Sequence, residues 1–182
     1  NPQIAKLSNG TWVVMFASGY NNVANDDGAG GDGVGRLYVL NAATGAQISG
    51  LSPISTGYGS TTSPSGLSAI SAMVIDPSSD ATIVAVYGGD LDGNLWRFDV
   101  NGSVGPTGTE AQLLAVLKDA SGNRQPITTR PVLSLIGTSK VVFVGTGRFL
   151  DASDASDTSQ QSLYAIKDPW TTGGTASTAI HD

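Results

Sequence analysis

The chain has 182 residues, 40% of them hydrophobic, with 24 glycines and 13% charged residues, a composition that excludes a disordered chain and fits a turn-rich globular core. Its net charge is −6 and its nine basic residues are scattered singly, so there is no basic stripe to displace counterions from phosphate, which argues against nucleic acid and anionic membranes as partners. The absence of cysteine excludes disulfide frameworks, zinc ribbons and thiol catalysis.

Fourteen of the fifteen acidic residues are aspartate. Aspartate favours turns because its short carboxylate bonds nearby backbone N–H groups, whereas glutamate favours helices. With so much Gly, Ser and Thr, the skew points to an all-β chain with many tight turns. No apolar run approaches the roughly 18 residues of a membrane span or shows the layout of a signal peptide. The opening Asn1-Pro2-Gln3-Ile4 reads as the middle of a strand-rich domain, so the chain is expected to be an excerpt of something longer.

In chain order, a first strand at Gln3–Leu7 leads into an apolar strand, Trp12–Gly19, that ends on a small residue and glycine. A long insertion at 20–34 precedes a strand with a central aromatic, Arg36–Asn41, and then a weak fourth strand at Ala46–Leu51. The same order returns as Ile70–Ile75, Ile83–Gly89, Asn94–Asp99 and Ala111–Leu117. It returns again as Val132–Ile136, Val141–Gly147 and Ser162–Asp168, with an insertion at 148–161. Apolar runs in the glycine-ending strands suggest burial on both faces, while the aromatic strands alternate more. Four short strands per unit with aromatic and glycine punctuation is the signature of β-propeller blades. The fold class is therefore an all-β partial propeller of about three four-stranded blades, with units at roughly 1–52, 66–119 and 126–182. Three blades do not close, so the remaining blades are expected from outside this chain.

From the terminal glycine to the aromatic the gap is 19 residues in the first unit, 7 in the second and 17 in the third. The second is a tight Asp92-Gly93-Asn94 hairpin, a strong turn signal. The other two carry insertions at the same hairpin and should project from the same face, where function is often carried on a rigid scaffold.

Five blocks then occur in order: Gly10-Thr-Trp-Val-Val, Ser18-Gly-Tyr-Asn-Asn22, Gly89-Asp-Leu-Asp-Gly-Asn-Leu-Trp-Arg-Phe-Asp99, Gly145-Thr-Gly-Arg-Phe-Leu150 and Gln161-Ser-Leu-Tyr-Ala-Ile-Lys-Asp168. Together they resemble the C-terminal propeller of the PilY/PilC proteins of bacterial type IV pili, over nearly the whole chain. The resemblance implies a seven-bladed, modified propeller in an exported protein of a Gram-negative envelope, at the pilus tip, cell surface, or outer membrane and periplasm. It implies a module for pilus assembly and tip adhesion that supports pilus extension, twitching motility and surface attachment. Pilin or minor pilins, a host-surface ligand and the remaining blades would be its partners, with no membrane insertion.

Some members of that family carry a calcium loop before their Tyr-x-Gly-Asp block, with oxygens at positions one, three, five and nine and a carbonyl at seven. Carried onto this chain, those positions are Asp76, Ser78, Asp80, Thr82 for the carbonyl, and Val84, which has no side-chain oxygen. Calcium takes six to eight oxygens, so the loop is degenerate, and an Asp-Pro-Ser-Ser-Asp turn is preferred over calcium. Two further acidic loops admit a metal: Asp26, Asp27 and Asp32 in the first insertion, and Asp151, Asp154 and Asp157 in the second. In both, a solvated or turn-capping loop is the preferred reading, because the spacing matches no complete template.

Trp12, Tyr38, Trp96 and Tyr164 recur at repeat positions and read as packing between blades. Asn9-Gly-Thr11 and Asn101-Gly-Ser103 match the glycosylation sequon but sit at Asn-Gly turns. The only histidine is His181, and there is no Gly-x-Ser-x-Gly elbow or Ser-x-x-Lys pair, so an enzyme is disfavoured. Two rival readings stay open. Gly35–Gly45 resembles the tail of blades in quinoprotein dehydrogenases that use pyrroloquinoline quinone, and a calcium-binding exported scaffold needs no pilus role.

Overall fold

The computed structural model describes residues 2–20, 22–23, 30–102 and 110–169, and these form three antiparallel sheets. The first is built from β1 (Gln3–Lys6), β2 (Trp12–Ala17), β3 (Arg36–Asn41) and β4 (Ile54–Ser55), paired in that order. The second comprises β5 (Ile70–Asp76), β6 (Asp80–Gly89), β7 (Asn94–Phe98) and β8 (Ala111–Val116). The third comprises β9 (Val132–Ile136), β10 (Ser139–Gly145) and β11 (Leu163–Lys167). The initial strands β1, β5 and β9 are neighbours, and one parallel bridge, Lys6 to Thr82, joins the first sheet to the second. This is an all-β propeller arrangement.

The strands lie where the apolar runs and turns place them, with one exception. The fourth strand of the first sheet is Ile54–Ser55, not Ala46–Leu51. Gly45 and Gly50 both take positive φ, 72° and 78°, which only glycine adopts freely, so the segment between them turns instead of extending. Its sole ladder contact is a bridge from Gln47 to Leu40, while Ile48 and Leu51 still pack on the core.

Burial explains the differing strand patterns. Val86, Trp96 and Phe98 of the second sheet face a cluster shared with Val13, Met15, Leu37 and Val39 of the first. Ala85, Tyr87 and Leu95 face a cluster shared with Val142, Val144 and Ile166 of the third. Covered on both faces, β7 is buried at every position and does not alternate. The apolar run of β2, conversely, is not buried on both faces: Val13 and Met15 are buried but Trp12 is 51% exposed. Trp12 therefore does not pack between the described sheets. Each fully buried Leu, Val or Phe contributes about 1.5–3 kcal/mol by removal from water.

A double-sided core must also satisfy the polar groups it encloses. Asp168, which follows β11, accepts from the Tyr87 hydroxyl at 2.6 Å and from Arg97 Nε at 3.1 Å. Arg97 also donates to Gln112 Oε1 at 2.8 Å. The Arg97 and Asp168 side chains are 6% and 0% exposed, so this is a buried ion pair between the second and third sheets. Burial pushes the Tyr87 hydroxyl well above the ordinary tyrosine range, which keeps it a donor to Asp168.

Removing one partner of a buried pair leaves an uncompensated charge, which costs about 3–5 kcal/mol. We expect Asp168→Ala to lower the urea-unfolding free energy by about that amount. Lys167→Ala, at the exposed position beside it, should change it by under about 0.5 kcal/mol. Equal small losses for both would contradict this account of the pair.

Candidate functional site

Successive antiparallel strands bring alternate connections to the same end of the sheets. One end receives the β2–β3, β4–β5, β6–β7, β8–β9 and β10–β11 connections. The tightest is Asp90–Asn94. Buried Asp90 accepts through Oδ1 from the N–H groups of Asp92 and Asn94, and through Oδ2 from Asn94 Nδ2 and Trp96 Nε1, all within 2.8–2.9 Å. Burial pushes the Asp90 carboxyl above the ordinary range, while these donated bonds pull it back. Gly93 has φ 74°, and a Cβ there would lie 2.6 Å from the Gln125 carbonyl oxygen, so the turn needs glycine twice over.

The same turn recurs at Asp119-Ala-Ser-Gly-Asn123. Asp119 Oδ1 accepts from Ser121 and Asn123 N–H and Oδ2 from Asn123 Nδ2, each at 2.8 Å. Arg124 then reaches back, donating to the Asp92 carbonyl and Asn94 Oδ1 at 2.9 Å and lying 5.6 Å from the Tyr58 ring centroid. Gln125, 2% exposed, donates to the Gln160 carbonyl and accepts from the Tyr164 hydroxyl, tying this end to the third sheet. These positions follow from the Asp-x-x-Gly-Asn spacing, a signal present twice in the sequence.

The insertion at 148–161 folds on its own carboxylates. Asp151 opens a short 3-10 turn, Ala152–Ser156, through a reciprocal capping box with Asp154. Asp154 accepts from the N–H of Leu150 at 2.8 Å and is paired with Arg148 Nη2 at 2.7 Å. Asp157 accepts from the Ser159 N–H at 2.8 Å. Asp151 and Asp154 thus close one short turn from both sides and Asp157 serves the next, so each of the three aspartates that recur at every third position caps local backbone. Asp32 in the other insertion takes a bidentate pair with Arg36 at 2.6 Å and also accepts from the Val34 N–H. Asp26 and Asp27 lie outside the described residues, as does His181.

Where these connections meet, Tyr20, Pro64, Leu91, Asp92, Arg148 and Leu150 line an open cleft of about 710 Å³. It draws on connections of all three sheets, and the Tyr20 hydroxyl donates to the Thr128 carbonyl at 3.1 Å. At its edge Phe149 and Leu150 are 73% and 46% exposed. An apolar pair beside mixed charges suits a protein side chain better than a small polar substrate.

The Asp76–Asp80 hairpin stands at the opposite end. Asp76 accepts from the Ser78 N–H, the Ser78 hydroxyl and the Ser79 hydroxyl at 2.9, 2.7 and 2.6 Å. Asp80 accepts from the Thr82 N–H at 2.9 Å and pairs with Lys6 Nζ at 3.2 Å. Val84 packs against the second cluster and brings no side-chain oxygen. A calcium ion needs six to eight oxygens; here the carboxylates are turned onto their own loop and onto a lysine, so this donor set does not fit calcium. Among the described residues no group of three or more His, Asp or Glu side chains is placed to hold a metal.

Of the repeated aromatics, Trp96 is buried between sheets, Tyr38 stacks on Phe16 with centroids 5.2 Å apart, and the Tyr164 hydroxyl sits 2.7 Å from both Gln125 Oε1 and the Lys118 carbonyl, sharing its one proton between them. Asn101 spends its amide on structure, accepting from the Ser8 N–H and donating to the Ile83 carbonyl. Asn9 accepts from the Thr11 N–H. The Gly35–Gly45 block is β3 and a turn that Asn41 caps through the N–H groups of Ala43 and Thr44.

The Ser79 hydroxyl and the Ser78 groups hold Asp76 down to about 2. Asp151 is lowered first by the Ser153 hydroxyl, Asp154 by the Leu150 N–H and Asp157 by the Ser159 N–H. A folded-state value below the unfolded one gives stability that is present above about pH 4 and is lost as pH falls toward the folded value. Asp90, raised by burial, acts in the opposite sense. We therefore expect the urea midpoint at about pH 3 to lie below that at about pH 6, with a smaller difference in Asp76→Asn. A midpoint independent of pH would contradict these turn bonds.

A family model for the PilY1 beta-propeller domain matches residues 1–181. The chain is 35% identical over 198 residues to the type IV pilus biogenesis factor PilY1 of Pseudomonas aeruginosa, covering 96% of this chain and 16% of that protein. It is 30% identical over 188 residues to a PilY1 homolog of Xylella fastidiosa, covering 92% of this chain and 12% of that protein. The crystal structure of the Pseudomonas aeruginosa PilY1 C-terminal domain superposes with a TM-score of 0.73 at 30% identity, over 96% of this chain and 38% of that one. The chain thus spans less than a fifth of the length of these curated relatives.

Proposed function

We propose that this chain, which belongs to the PilY1 β-propeller domain family, works in type IV pilus biogenesis by binding protein partners at the end of its sheets where the insertions meet. The observation that carries this reading is the match across nearly the whole chain to relatives named type IV pilus biogenesis factors. A pilus role places the protein at the cell surface or in the envelope. Among the described residues no helix is long and apolar enough to cross a membrane.

The geometry supports binding as the mode of action. The cleft joins elements of three sheets on a scaffold held by buried turns, and it presents Phe149 and Leu150 outward. Three of its ionic groups are already committed: Arg148 is bonded to Asp154, and Asp151 to the Ser153 N–H. Groups so committed orient a loop and are poorly placed to shuttle protons. Pilin or minor pilins are the partners this reading assigns, and support of pilus extension, twitching motility and surface attachment are its consequences. Adhesion to a host-surface ligand would use the same end.

Deleting the parent gene should reduce surface pili counted by electron microscopy, with recovery on complementation. A Phe149→Ser, Leu150→Ser double variant should be exported and folded yet restore few pili, because exposed apolar anchors carry most of the binding energy at small interfaces. Ile75→Ser, exposed at the opposite end, should complement fully. Normal pili and normal twitching in the deletion strain would defeat the proposal.

A further inference from the structure

The β5–β6 hairpin sets Asp76 and Asp80 directly opposite each other in the ladder. Two like charges at facing positions of an antiparallel pair repel, so the hairpin calls for positive charge or for donors. Asp76 is served by N–H and hydroxyl groups of Ser78 and Ser79, within its own turn. Asp80 is served from another sheet: the Lys6 ammonium of β1 lies 3.2 Å from its Oδ1.

Lys6 does not arrive there by chance of side-chain reach. Its backbone is the position that pairs with Thr82 in the one parallel bridge between the first two sheets, and Thr82 in turn donates its N–H to Asp80. Two residues on, the Ser8 N–H donates to Asn101 Oδ1, and Asn101 Nδ2 donates to the Ile83 carbonyl at 2.7 Å. The junction is thus closed by a backbone bridge, an ion pair and an amide clamp, all within Lys6–Ser8 and Asp80–Ile83 plus Asn101. The lysine and aspartate side chains are 32% and 39% exposed, partly shielded, and so less screened by salt than a fully exposed pair.

We propose that Lys6 supplies, as a tethered ammonium, the positive charge that this hairpin needs, so that the junction between the first and second sheets is held without calcium. The donor chemistry supports this. Val84 offers no side-chain oxygen, and both carboxylates already have donors, so an incoming calcium ion would have to displace Lys6 and the serines before it gained its six oxygens. The proposal is independent of the pilus reading and stands or falls on this hairpin alone.

Hydrogen–deuterium exchange of the 70–89 segment in the full-length protein tests it, run in EGTA and in millimolar calcium. In the wild type, protection of that segment should be the same in both. Lys6→Met keeps the aliphatic stem and removes the charge, and should speed exchange there by roughly 1.5- to 5-fold, the range for a partly exposed ion pair. Lys6→Arg should restore protection, which separates the charge from simple packing. Calcium-induced protection in the wild type would overturn the proposal, and so would exchange in Lys6→Met equal to that of the wild type.

Discussion

Sandwiching β7 and the Ala85–Gly89 half of β6 between two apolar clusters leaves them no face in contact with water, so each polar group there must find its partner inside the protein. Much of the described structure follows from that constraint. Arg97 sits at the β7 position whose side chain points toward the third sheet, and Asp168 meets it from beyond β11. Trp96 points the other way, and its indole N–H is taken by Asp90. The sheets are therefore joined by apolar contact over their area and by directional polar bonds at a few points. The apolar contact supplies most of the stability, and the polar bonds fix how one sheet is set against the next.

The two ends of the sheets have been built differently. At one end, connections of very different length converge on a cleft, and the first of two copies of one five-residue turn lends Leu91 and Asp92 to its lining. Arg124 and Gln125 extend from the second copy to bind the first turn and the third sheet. At the other end the described connections are mostly short, and the Lys6–Asp80 and Ser8–Asn101 contacts bind sheet to sheet. Length variation at one end and cross-linking at the other is a reasonable division for a scaffold that must present loops without loosening. It also locates the apolar, outward-facing side chains of the 148–161 insertion away from the contacts that hold the sheets together at the other end.

Most of the strands were legible because each carries a period and a punctuating glycine. Val141–Gly147 and Ile83–Gly89 could be read directly, since burial on one or both faces leaves apolar runs. The segment Ala46–Leu51 misled because its apolar residues do pack on the core, but from a turn bounded by two left-handed glycines. Trp12 misled for the opposite reason: repetition marks a position in the sheet, not whether a neighbour covers it. The site was only half legible. The converging insertions followed from gap lengths, and the Asp-x-x-Gly-Asn turns were available as a spacing. The bonds of Arg97 to Asp168 and of Lys6 to Asp80 span 71 and 74 positions, and no local pattern relates such residues before the sheets are stacked.

The carboxylates of the 148–161 insertion bond mainly to residues within two to six positions of themselves, and few of its hydrogen bonds reach a strand. A segment that supplies its own caps is, in evolutionary terms, nearly free of the fold that carries it. Its sequence can drift, and whole turns can be gained or lost, while β10 and β11 keep their register. Surfaces under pressure to follow a changing partner are best placed on such a segment, because each altered contact is judged by binding alone and not also by its effect on folding.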